Sequence, residues 1–208
     1  MKLHHLKVKI YIGFMVLLLL IGIGTYIHYS SLKEVNGFLQ EMYDEHYTAS
    51  MLAVTQKARL SDVRAQLLAM TGEADKDKKE KYHARIKELS KEIDDNLTQW
   101  LEKDVKVRDE KMNVMIKSLQ IIWNDFRTMR DTQIIPFLYD GKIQEAKALV
   151  FGIQAERYKE MIRLTDELVK MKGKEARELL DISKEAFKKL IVFTIVISLV
   201  IVLSYLPL

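Results

Sequence analysis

Two stretches of the chain carry no charge, residues 10–27 (IYIGFMVLLLLIGIGTYI) and residues 190–208 (LIVFTIVISLVIVLSYLPL). Eighteen helical residues at 1.5 Å each reach ~27 Å, close to a hydrocarbon core of roughly 30 Å, so each stretch predicts a transmembrane helix. Between them the pattern turns amphipathic. Leu32, Val35, Leu39, Met42, His46, Ala49, Ala53, Gln56, Leu60, Val63, Leu67 and Met70 step alternately by three and four. That spacing holds one helix face against a partner. The seam stops at Thr71-Gly72, and a charged stretch, Glu73–Lys81, supplies the turn.

A second helix is expected from about Asp75 to Lys103, with Tyr82, Ile86, Leu89, Ile93, Leu97 and Trp100 on one face. A break near Asp104–Val107 leads to a third, marked by Met112, Met115, Leu119, Ile122, Phe126 and Met129. Pro136 lacks the helical N–H, and Asp140-Gly141 is a stop signal, so this helix ends within residues 134–142. The fourth helix is expected from about Lys142 to Lys189, along Ile143, Ala146, Val150, Met161, Leu164, Leu168, Met171, Leu179, Ile182 and Ala186. It merges with the second uncharged stretch without a breaker.

Four amphipathic helices joined by short turns predict an all-α, antiparallel up-down four-helix bundle whose first and last helices continue into two transmembrane helices. The expected organisation is an N-terminal segment 1–9, a span 10–28, a bundle domain 29–189 and a second span 190–208. The outer helices run to roughly 43 and 48 residues and the inner pair to roughly 29 and 33, an excess of ~20 Å that predicts a two-helix stalk.

Charge refines this picture. Lys2, Lys7 and Lys9 precede the first span and only His28 follows it, which places the N-terminus in the cytoplasm and the bundle outside it. The basic start resembles a signal peptide, but the apolar core is too long and no small-x-small site follows cleanly, so an uncleaved anchor is expected. Lys188 and Lys189 sit on the outer side of the second span, where a translocated segment this long weakens the positive-inside rule. No basic flank follows Leu208, and the chain reads as truncated there. Residues 28–189 hold 30 basic and 29 acidic side chains. The pI near 9.0 therefore reflects the N-terminal lysines and not a nucleic-acid-binding face.

Candidate chemistry is sparse. With no cysteine there is no disulfide, thiolate metal site or catalytic thiol. His28, His46 and His83 are isolated, so no metal site is expected. A phosphate loop and a nucleophile–base motif are both missing, so no enzyme and no cofactor are expected. His46 and Gln56 occupy seam positions, where polar residues commonly fix register. Thr194 and Ser198 make a small-xxx-small pair that suits close packing of the spans or simply tolerates lipid.

The basic N-terminus, the span GFMVLLLLIGIG, the four-helix bundle and the second span together resemble the sensory half of bacterial methyl-accepting chemotaxis receptors. The segment FLYDGKIQEAKALV, residues 137–150, is similar to that family's turn between the third and fourth helices. The resemblance implies a chemoreceptor input module in the bacterial inner membrane, a homodimer that passes an extracytoplasmic stimulus across the membrane by helix displacement. Input domains of sensor histidine kinases and diguanylate cyclases share the architecture, and a membrane scaffold that binds another protein is the alternative from a different class. The implied partner is a small-molecule ligand, with a carboxylate-bearing one as a candidate, or a periplasmic binding protein. Aspartate-type members hold their ligand's carboxylate with first-helix arginines at the dimer interface. Arg59 and Arg64 resemble part of that arrangement, although Leu68 stands where a further arginine would be expected. Arginine's planar fork suits a carboxylate, and pairing with Glu or Asp on a neighbouring helix is the competing role.

Overall fold

The structure, a computed structural model, describes residues 2–102 and 110–204. The break expected near Asp104–Val107 lies outside the described residues, as do the last four residues of the second span. The described residues are helical apart from short turns, in the order α1 (Lys2–Glu41), a π-helical turn (Met42–Tyr47), α2 (Thr48–Gly72), α3 (Lys76–Glu102), α4 (Glu110–Met129), a second π-helical turn (Arg130–Ile134), α5 (Ile135–Tyr139), α6 (Ile143–Phe151) and α7 (Ile153–Ser204). They divide into two compact units, Tyr47–Gly173 and Met1–His46 with Lys174–Leu208.

Residues 47–173 form the bundle. On α2 the buried side chains are Ala49, Ala53, Gln56, Leu60, Val63, Leu67, Met70 and Thr71, the predicted seam plus one residue. Facing them are Ile86, Leu89, Ile93, Leu97 and Trp100 of α3, Met112, Met115, Ile116, Leu119, Trp123 and Phe126 of α4, and Met161, Leu164 and Leu168 of α7. On the third helix Ile122 and Met129 lie at the edge of the core while Ile116 and Trp123 are central. The apolar stripe there is broader than a strict heptad, as a helix packed on two neighbours requires. Asp75 starts α3, since its Oδ1 accepts from the N–H groups of Asp77 (2.8 Å) and Lys78 (3.3 Å).

Pro136 does not end the third helix. The π-helical turn just before it lets the Ile135 N–H donate to Arg130 O, five residues back, and Pro136 enters the first turn of α5. A π turn widens the coil where the proline ring would otherwise press on the carbonyl four residues upstream. The chain leaves α5 through Asp140-Gly141, where Gly141 has φ 75° and Lys142 N–H bonds to Phe137 O at 2.8 Å.

The fourth helix is interrupted, contrary to expectation. Gly152 adopts φ −88°, ψ −115° between α6 and α7. A Cβ there would stand 2.7 Å from Ala148 O, so the kink depends on glycine.

The other unit pairs α1 with the C-terminal part of α7. Gly24 lies opposite Ile197, and His28 Nε2 is 3.0 Å from Thr194 Oγ1. Thr194 also donates back to Leu190 O and Ser198 to Thr194 O, both at 2.8 Å, so Thr194 joins the helix contact while Ser198 satisfies its own helix. Ile27, Ser31, Val35, Phe38 and Met42 are half-buried and His46 is buried, whereas Leu32 and Leu39 are 59% and 49% exposed. The upper part of the predicted seam is thus split between a packed face and an open one.

Among the described residues one helical run, Tyr11–Gly72, is long and apolar enough to cross a membrane, and its apolar window is almost entirely unburied within the protein. Ile191, Val192, Ile195, Val196, Leu199 and Val200 are likewise exposed on α7.

Candidate functional site

Five residues along an α-helix amount to about 140° of rotation, so Arg59 and Arg64 leave α2 in different directions. Arg59 turns to α3, where its Nε donates to Glu92 Oε2 at 2.7 Å. Arg64 turns to α7 and lays its guanidinium over the Tyr158 ring, 4.5 Å from the centroid. The structure does not bring the two together within one chain.

Around Arg64 the α2–α7 groove is polar. Tyr158 Oη and Ser61 Oγ are 3.0 Å apart, and Ser61 also donates to Lys57 O at 2.8 Å. Lys57 Nζ donates to Asp166 Oδ1 at 2.6 Å. Lys57, Ser61 and Arg64 are spaced four and three apart and so share this side of α2. Arg59 and Lys57 thus each have a carboxylate. Among the described residues Arg64 pairs with none, and its single contact is the aromatic face. A guanidinium held over an aromatic ring has not spent its N–H donors on a carboxylate, and its planar fork suits a carboxylate or another planar anion.

Sequence reasoning passed over Ser61 and Tyr158. The available signal was positional, because Tyr158 falls between Gln154 and Met161 on the inward face of the fourth helix. The two seam polar residues are both buried. Gln56 Oε1 accepts from Asn96 Nδ2 at 2.9 Å, and the same amide reaches Leu52 O at 3.2 Å, a cross-helix layer suited to fixing register. His46 Nδ1 stands 3.3 Å from Glu175 Oε2. A second buried polar group had no forerunner in the sequence. Arg130, 1% exposed, is clasped by Asp131 through Nε (2.7 Å) and Nη2 (3.0 Å), donates to Ser90 Oγ at 2.9 Å and covers the Trp123 ring at 5.6 Å.

In the unit built from α1 and α7, a cleft of about 810 Å³ is lined by Ile27, Ser31, Glu34, Asp181, Glu185 and Lys189, among others. Neither arginine contributes to it, half of its lining is apolar, and its charged residues are three carboxylates and one lysine, so it does not favour an anion.

No curated protein matches this chain. A family model described as a four-helix-bundle sensory module for signal transduction matches residues 4–187, which takes in the bundle, the turn at 137–150 and both arginines. With the α2 part of the predicted seam buried and the four-helix order observed among the described residues, the chain belongs to the family of four-helix-bundle sensory modules of methyl-accepting chemotaxis receptors.

Proposed function

We propose that this chain is the input module of a transmembrane chemoreceptor, in which an anionic, carboxylate-bearing ligand held at Arg64 biases the arrangement of the first helices. The N-terminus lies in the cytoplasm, residues 10–28 and 190–208 cross the membrane, and the bundle is extracytoplasmic. The family is a non-catalytic sensory module, which supports sensing as the task. The observation that carries the ligand class is Arg64 itself, a half-buried cation fixed on Tyr158 and unpaired with any carboxylate among the described residues.

Pairing of two copies about the first helix is supported by the open face of α1, where Tyr29, Leu32, Leu39 and Tyr43 are exposed. In such a dimer Arg59 of the second copy, released from Glu92, supplies the other half of the grip. A ligand that touches both first helices binds one arrangement better than another, which is the requirement for a population shift. A periplasmic binding protein carrying the stimulus is the other partner the family architecture admits.

The test is calorimetry on the full chain in lipid nanodiscs against small mono-, di- and tricarboxylates. Arg64→Ala is expected to weaken binding roughly tenfold or more, the value of one to two charge-assisted hydrogen bonds, with an unchanged helical melting curve. Arg59→Ala is expected to weaken it less. Equal binding by the parent and both variants would move the site elsewhere.

A further inference from the structure

We propose that the turn-bearing end of the bundle is a proton-responsive latch, in which protonation of His83 loosens the docking of Ile135–Tyr139 on α3. Lys79, His83, Lys87 and Ser90 follow one another at intervals of four, four and three and form one side of α3. That side meets the π-helical turn and α5. Lys79 Nζ donates to Leu138 O at 3.1 Å, and His83 Nδ1 lies 3.2 Å from Tyr139 Oη. The two rings pack with centroids 5.8 Å apart and a 50° tilt. At the other end of the stripe Ser90 receives Arg130.

Two lysines flank His83, and the Arg130–Asp131 pair faces it with Asp131 the stronger influence of the two. Lys79 and Lys87 stand one turn away on its own helix, and Arg130 approaches from the π-helical turn. Against them are Asp131, already clasped by Arg130, and Glu80, which acts on Tyr139. A neutral ring with its proton on Nε2 accepts the Tyr139 hydroxyl at Nδ1. A protonated ring reverses that bond and donates to Tyr139 Oη, so the hydrogen bond survives. What changes is the addition of a half-buried positive charge beside Lys87 and Lys79 on the same side of α3.

The proton affinity of the docked ring agrees with this. Burial is the largest influence holding the His83 pKa below its ordinary 6.5, Lys87 and Arg130 act in the same direction, and Asp131 opposes them. A ring that has come away from α5 regains its ordinary affinity and binds more protons than the docked one. Docking is therefore complete above about pH 6.5 and weakens as pH falls through that value towards the docked pKa. Ile134, Ile135 and Leu138 remain buried in the core, so the change is a local opening and not unfolding of the bundle. Because α5 is followed by the Gly141 turn and α6, an opened latch frees the start of the fourth helix, a two-state element that a proton can bias.

The experiment uses the full chain in nanodiscs, with hydrogen exchange of residues 135–142 measured at about pH 7.5 and about pH 5.5 and corrected for intrinsic rates. The parent is expected to lose protection roughly threefold or more at the lower pH, while His83→Gln stays constant. His83→Lys, permanently charged, is expected to show the reduced protection already at about pH 7.5. Side-chain NMR should place the His83 titration below 6.5. Unchanged protection in the parent, an equal loss in His83→Gln, or a titration at or above 6.5 would each overturn the latch. The Arg64 site makes no use of His83, so carboxylate binding at about pH 7.5 should be the same in parent and His83→Gln.

Discussion

Two glycines of the fourth helix respond oppositely to the same substitution. At Gly152 a methyl group would press to 2.7 Å from Ala148 O, and the backbone at ψ −115° would have to move. Gly173 sits inside α7, where a Cβ meets nothing within 4 Å. Gly152→Ala is therefore expected to lower unfolding stability by about 1–3 kcal/mol. Gly173→Ala is expected to raise it by up to about 1 kcal/mol, through helix propensity alone. Urea denaturation followed by circular dichroism separates the two, and equal effects would show that the kink relaxes without cost. In the sequence both are single glycines in a helical pattern, and nothing local marks which one bends the chain. The same blindness hid Arg130. Buried arginines look like surface ones until the packing places Ser90 and Trp123 around them.

At the scale of elements, the α2 half of the first seam was legible and the α1 half was only partly so. Ala49 through Met70 are buried as the heptad demands, but upstream Ser31 and Phe38 pack inward where Leu32 and Leu39 were expected to. Val35, Met42, His46 and Ala49 keep the predicted face through the π-helical turn, so only Leu32 and Leu39 depart from it. The consequence for pairing is specific. In a homodimer about the first helix, single cysteines at Leu32, Leu39 or Tyr43 are expected to cross-link between chains at least about threefold faster than cysteines at Ser31 or Phe38, a difference that geometric facing alone produces. The natural absence of cysteine makes the background clean. Equal rates on the two faces would argue against pairing on this stripe. Pro136 illustrates the same limit, since its ring signals a disruption but the preceding turn chose widening over termination.

For the whole molecule, composition carried more than any motif. Segregated charge predicted the two apolar ends and the amphipathic middle, and helical periodicity predicted the bundle, because both depend only on what must be kept from water. The proposed site was less legible. Arg59 and Arg64 were visible as residues, but their unequal pairing depends on Glu92 and Tyr158, which come from other helices. Orientation in the membrane is open to a direct measurement. A reporter active only outside the cytoplasm, inserted at Gly72 or at Gly141, is expected to be active at both positions, since both close turns at the same end of an up-down bundle. Activity at neither position, with a cytoplasmic reporter active instead, would invert the topology.

The clasp between Arg130 and Asp131 has a bearing on motion. The two residues are neighbours in sequence, so the counter-charge travels with the cation whenever the third helix moves. Only the bond to Ser90 and the contact with Trp123 depend on where the rest of the bundle stands, and of these only Ser90 belongs to another helix. A buried cation neutralised from across a groove would resist sliding with the full cost of a bared charge, several kcal/mol. In a slip of the third helix along α3, Arg130 itself gives up one hydrogen bond to a neutral hydroxyl, on the order of 1.5–3 kcal/mol at most, whereas Trp123 and Arg127 lose their bonds to Asp94 of α3. The clasp works as a portable counterion, so the pinning of this interface falls to Asp94, which holds Arg127 and Trp123 from across the groove, and not to the buried cation.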